Sequence, residues 1–139
     1  MKSGPAPGNE GVATALAHFV RVFNALDWDA FTACFTEDAT MFAPFPDQPR
    51  IAMGKAAFEA SWRPVFERVR TNRPGPPYLN IDPKDTHVRS LGENACVVSF
   101  HLENLGGSPR LHRRTAVFER RDGRWLIVHL HASVASDSM

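Results

Sequence analysis

Apolar residues recur every three or four positions through the first half of the chain and every second position through the last third. From Gly11 to Leu26, the residues Val12, Leu16, Phe19, Val20 and Phe23 form one stripe of an amphipathic helix. Asp27 is placed to cap a second, shorter helix with Trp28, Phe31 and Phe35 as its inward positions. Thr40 and Phe42 predict a short strand, broken at Pro44 and Pro46. A third helix begins after Gly54, with Phe58, Trp62, Val65, Phe66 and Val69 along one face. Pro64 lies inside it, which predicts a kink or a split in two. The stretch from Thr71 to Pro77 is rich in Pro and Gly and reads as a loop.

Beyond that loop the period changes. Thr86 to Leu91, Ala95 to Leu102, Leu111 to Arg120 and Trp125 to Val134 are rich in β-branched and aromatic residues and read as strands. Gly92-Glu93-Asn94, Leu105 to Pro109 and Arg121-Asp122-Gly123 supply the turns. Short turns between successive strands predict an antiparallel meander. Its apolar face needs cover, and the preceding helices are the available layer. Helices followed by strands indicate an α+β domain.

Composition narrows the class. The 139 residues suit one domain, divided here into a flexible lead-in at 1–10 and a single folded unit at 11–135. Sixteen basic and 15 acidic residues leave a formal charge of +1, without the concentrated basic field that nucleic acid or an anionic membrane would require. Arg110, Arg113, Arg114, Arg120, Arg121 and Arg124 alternate with Glu119 and Asp122, as on a sheet surface near a hairpin. Cys34 and Cys96 sit in apolar patterns without metal-ligand spacing, which suggests buried free thiols in a reducing cytoplasm. No window approaches the roughly 18 continuous apolar residues of a membrane span. The opening Met1–Gly11 lacks the apolar run of a signal peptide.

The last strand carries the candidate chemistry. Strict alternation puts Trp125, Ile127, His129 and His131 on one face and Leu126, Val128, Leu130 and Ala132 on the other. Buried imidazoles need hydrogen-bond partners, so a pocket suits the histidine face better than an aliphatic interface does. On the strand before, Arg113 or Arg114 is expected to reach the pocket and favour an anionic or carbonyl-bearing ligand. Four roles stay open for the histidines. They are metal binding by His129 and His131 with His101 or His112, acid–base catalysis, ligand binding without catalysis, and a structural part. No acidic ligand accompanies the histidine pair, and no metal or cofactor is expected. His129 and His131 are the candidate catalytic pair. Arg113, Arg114, Trp28, Trp62, Phe66, Tyr78, His101 and Trp125 are the candidate ligand-binding residues. Gly-rich phosphate loops, nucleophile elbows, Cys-x-x-Cys and His-Glu-x-x-His motifs are absent.

Several segments resemble a known superfamily. Leu26 to Phe31, Phe35 to Thr40 and Gly54 to Phe58 resemble the opening of SnoaL-like members of the NTF2-like superfamily. Arg113 to Phe118 and Arg121 to Ser133 resemble its closing strands, and are similar to the association domain of calcium/calmodulin-dependent protein kinase II. The resemblance implies a cone-shaped α+β barrel in which N-terminal helices and a curved antiparallel sheet enclose a pocket, commonly as a homodimer formed through the sheet. It also implies a small-molecule ligand, handled by a cofactor-free isomerase, cyclase or dehydratase, or else a non-catalytic binding or oligomerisation module. The catalytic base of ketosteroid-isomerase-like members corresponds to Ala43 here, and the pocket arginine of the kinase association domain to Ala116. The Asp-Arg-Asp set of limonene epoxide hydrolases has no complete counterpart.

Overall fold

The computed structural model describes residues 7–45 and 47–135. The expected lead-in falls mainly on residues 1–6, outside the described residues. Helix α1 (Pro7–Asn24) begins ahead of the boundary expected at Gly11. It is followed by α2 (Trp28–Thr32), β1 (Phe35–Phe42), the two-residue β2 (Ala52–Met53) and α3 (Lys55–Asn72). Then come β3 (Lys84–Ser90), β4 (Ala95–Leu102), a 3-10 turn at Leu105–Gly107, β5 (His112–Arg121) and β6 (Arg124–Val134). No described helix is long and apolar enough to cross a membrane.

Six strands form one sheet in the order β2-β1-β6-β5-β4-β3. From β3 to β6 it is the expected meander, but β1 lies parallel to β6, so the sheet is mixed. A parallel neighbour needs a long crossover, and here α3 together with β3 to β5 provides it. The sheet is curved but not closed into a barrel, with β2 and β3 as free edges. Nearly all of β3 is exposed, and its charged residues Lys84, Asp85 and Arg89 discourage pairing with another chain.

Three local expectations are corrected. Phe35 belongs to β1 and not to the second helix, which ends at Thr32. Spacing of four from Phe31 suits a helix, yet the ring reaches Phe31 at 5.4 Å from the strand as well. The strand expected at Thr40 and Phe42 accordingly begins five residues earlier. Finally, Pro64 does not split α3 in two, and the helix runs on to Asn72. Both Pro64 and Ala60 are exposed, so the Ala60 carbonyl that loses its N–H partner faces water.

Aromatic rings knit the helical layer to β1. Phe31 is fully buried and lies 4.8 Å from Phe66, 4.9 Å from Phe23 and 5.7 Å from Phe19. Phe35 meets Phe58 at 4.5 Å, and Trp62 donates its indole N–H to Met41 Sδ at 2.8 Å. Opposite them the sheet buries Cys96, Val98, Phe100 and Leu102 of β4, Ala116 and Phe118 of β5, and Ile127, Leu130 and Ala132 of β6. Cys34 and Cys96 are buried free thiols. At the β5–β6 hairpin Asp122 and Gly123 both have positive φ, 52° and 77°, as a type I′ turn requires.

The end of α1 shapes one wall of the interior. Leu26 takes a left-handed conformation, φ 49°, where helix ends usually have glycine. Its N–H bonds to the Phe23 carbonyl at 3.0 Å, and the Asp27 N–H bonds to Val22 at 3.1 Å. Burial of the Leu26 side chain offsets the backbone cost. Two residues earlier, Asn24 fastens the loop after α3. Its carbonyl accepts from the Tyr78 and Leu79 amides, while its side chain bonds both Ile81 N–H (2.7 Å) and Ile81 C=O (3.0 Å). Asn24→Ala leaves both Ile81 groups without these partners and is expected to cost about 1–3 kcal/mol in urea unfolding. Phe31→Ala should cost about 3–5 kcal/mol by the same measurement.

Candidate functional site

A cavity of about 260 Å³ lies between the end of α1, the second half of α3 and the sheet. Phe23 of α1 and Leu26 of the turn after it wall one side, and Trp62, Val65, Phe66 and Val69 of α3 the other. Pro44, Phe45, Leu79, Ile81 and Leu105 close its rim from the loops, and Val134 contributes from the end of β6. Two polar side chains enter this apolar lining, His112 and Arg114. They stand two residues apart on β5 and therefore share its inner face, in line with the buried Ala116 and Phe118.

Arg114 is 8% exposed. Its guanidinium donates from Nη1 to the carbonyls of Arg113 at 3.0 Å and Ser133 at 3.4 Å. Among the described residues no carboxylate is paired with it. Burial pushes its pKa down to about 10, which still leaves it charged at neutral pH. A guanidinium carries five donors in a planar fork, so capacity remains for a planar anion. A buried cation without an anion is costly.

His112 is half-buried as a residue, but both ring nitrogens are shielded from solvent and neither has a hydrogen-bond partner among the described residues. Desolvation first, and the Arg114 charge second, hold its pKa below the usual imidazole range. The ring is thus neutral at pH 7, with one donor and one acceptor nitrogen. A larger groove of about 430 Å³ lies by Gly11 and Trp125, but its polar side chains Thr14, His18 and Arg124 are solvent-exposed.

Only part of the candidate set converges on the cavity. Trp62, Phe66 and Arg114 line it. Arg113 is exposed on the opposite face of β5. His129 and His131 also lie on the outer face, contrary to strict alternation. In the β5–β6 ladder Phe118 pairs with Ile127 and Val117 with His129, so Val128 is an extra residue. This bulge reverses the parity of the strand. Ile127, Leu130 and Ala132 point inward, and the histidines point away. His129 Nδ1 lies 2.7 Å from Thr40 Oγ1, and the His131 ring lies 5.0 Å from Phe42. Burial, then His131, lowers the His129 pKa.

The other candidates are elsewhere. His101 is beside Asp85 at the sheet edge, at 3.3 Å. Trp28 packs on Phe66 behind the cavity wall, with Arg63 4.5 Å over its ring. Tyr78 stacks under Arg70 and leaves the cavity to its neighbour Leu79. Trp125 lies at the far end, where a Cβ on Gly11 would come within 2.5 Å of its indole nitrogen. No group of three or more metal-ligating side chains occurs among the described residues. Sequence reasoning raised His112 only as a third metal ligand. The signal for its place was its parity with Arg114.

The fold has many solved relatives. An NTF2-like family protein from Streptomyces avermitilis superposes with a TM-score of 0.76 at 18% identity, covering 95% of this chain and 99% of that one. An NTF2-like protein of unknown function from Pseudomonas putida gives 0.77 at 16% identity, over 98% and 92%. The association domain of Caenorhabditis elegans CaMKII gives 0.68 at 19%, over 90% and 94%. At these identities the similarity is one of fold. The SnoaL-like domain family model matches residues 12–137, nearly the full length, and the chain belongs to that family.

Proposed function

We propose that the protein binds a small organic acid in the cavity between α1, α3 and the sheet, with the ligand's carboxylate on Arg114 and its apolar body among Phe23, Trp62 and Phe66. The buried guanidinium without a carboxylate partner carries this reading. At about 260 Å³ the space is below the roughly 300–1,000 Å³ of sites for drug-sized ligands, which favours a small acid. Aromatic walls favour a flat or branched hydrocarbon portion. Two buried free thiols, Cys34 and Cys96, suit a reducing compartment such as the cytoplasm.

The test is isothermal titration with butanoate, hexanoate, benzoate and phenylacetate, using benzamide as the uncharged control. At least one carboxylate should bind saturably, and benzamide at least about tenfold more weakly than benzoate. Arg114→Met should abolish the binding while raising the melting temperature, because it removes a buried charge of similar volume. Absence of saturable binding by all four acids, or undiminished binding by the variant, would sink the reading.

A second reading concerns self-association through the outer face of the sheet. Phe42, Val97, Val117 and His129 lie there half-buried, and no described element packs over them. A face of this kind suits a partner subunit, and one structural relative is itself an association domain. The wild type should sediment as a dimer at tens of micromolar, and Val117→Glu as a monomer with unchanged circular dichroism. A monomeric wild type at that concentration excludes this arrangement.

A further inference from the structure

His112 is the polar group in the cavity for which the described residues supply no partner. Its strand neighbours in the ladder are Leu102 on β4 and Val134 on β6. From the turn after β4 comes Leu105, from α3 Val65, Phe66 and Val69, and from α1 Phe23. All of these are apolar. The charged group facing the imidazole is Arg114, from its own strand, and no acid faces it among the described cavity residues. Both ring nitrogens are therefore covered by apolar neighbours at the wall of the cavity, beside a guanidinium, with their hydrogen-bonding capacity unused among the described residues.

We infer that His112 is the second anchor for the ligand's anionic group and that ligand uptake is coupled to proton uptake by its ring. The inference rests on the Arg114 reading and extends it to a specificity-determining residue. In the empty cavity, desolvation and the Arg114 charge both disfavour imidazolium. A carboxylate seated on Arg114 neutralises that charge and, once the ring turns about its Cβ–Cγ bond to bring a covered nitrogen to the cavity, gives that nitrogen an acceptor oxygen. Both changes favour the protonated form, so the His112 pKa rises on binding.

The sign of the pH dependence follows from linkage. Below the free-state pKa, His112 is protonated before and after binding, and affinity is constant. Between the free-state and bound-state values a proton enters with the ligand, and affinity falls as pH rises, by at most about tenfold per pH unit. Above the bound-state value the ring stays neutral in both states and affinity levels off. The free-state value is below the usual 6.5, so the fall begins on the acid side of neutrality and extends upward. Arg114 does not titrate in this window. Simple carboxylic acids are largely ionised above about pH 5.5. The site should therefore prefer acids presented in mildly acidic solution and reject amides and esters, which lack the charge that drives the proton in.

The experiment is isothermal titration of the intact protein with the tightest binder among the four acids above, from pH 5.5 to 8, in buffers of differing ionisation enthalpy. The wild type should bind about tenfold or more tightly at pH 5.5 than at pH 8, with net proton uptake read from the buffer dependence. His112→Gln keeps a donor and an acceptor but cannot titrate. It should bind with less than about twofold variation and no proton uptake over the same range. A wild type whose affinity is flat with pH, or a glutamine variant that keeps the full dependence, overturns the role of His112 and leaves Arg114 untouched. Failure of all four acids to bind overturns the Arg114 reading, and this inference with it. His112→Asn, checked by melting temperature, distinguishes loss of the proton link from loss of the fold.

Discussion

The packing of aromatic rings around Phe31 is the constraint on which the other features depend. This side chain comes from a helix of only five residues, too short to be stable alone. It is held because Phe19 and Phe23 of α1, Phe66 of α3 and Phe35 of β1 surround it. The same ring thereby fixes where α1 and α3 cross the sheet. Rings are rigid and bulky, and they hold α1, α2, α3 and β1 together at one point. The cavity is the space left where the aromatic packing ends and Phe23, Trp62 and Phe66 turn their remaining faces inward.

Two unfavourable features accompany that space. Arg114 is a buried cation without a carboxylate partner, and His112 is an imidazole with two unsatisfied nitrogens. Each destabilises the empty protein. Both lie on the inner face of β5, at the end that lines the cavity, while the rest of that face is occupied by Ala116 and Phe118. Local conflicts with good packing concentrate where a protein interacts with something else. Here they occupy one cavity, and they are complementary in charge and hydrogen bonding to a small carboxylate.

The two faces of the sheet differ in what they carry. Inward, apolar side chains and the Arg114–His112 pair serve the core and the cavity. Outward, Thr40, Ser99, Thr115, Val117 and His129 form a mixed surface that the chain itself leaves half-covered. The bulge at Val128 determines which residues of β6 belong to which face. It shifts the phase of the strand midway, so that Ile127 before it and Leu130 and Ala132 after it all lie on the core side.

The architecture was legible in the sequence because periodicity reports burial directly. The helical stripe from Val12 to Phe23, the cap at Asp27 and the four C-terminal strands emerge from spacing alone. Trp62, Phe66 and one of the two central arginines could be nominated for the same reason. Other features depended on distant neighbours. The parallel pairing of β1 with β6 is a contact between segments some 90 residues apart, which local pattern does not encode. Phe35 fits a helix or a strand equally until the rest of the cluster is in place. The choice between Arg113 and Arg114 requires knowing which face the helices cover. Most consequential is β6, where Trp125, Ile127, His129 and His131 alternate without interruption in sequence. A bulge needs no glycine or proline to announce it. It arises because Val128 has no opposite residue in the β5 ladder, and that single extra residue turns both histidines out of the cavity. Sequence determined which elements form and what they can bury, through local geometry and the periodic removal of apolar surface from water. Tertiary structure alone decided which polar residues the buried face would carry, because that depends on the pairing register between strands.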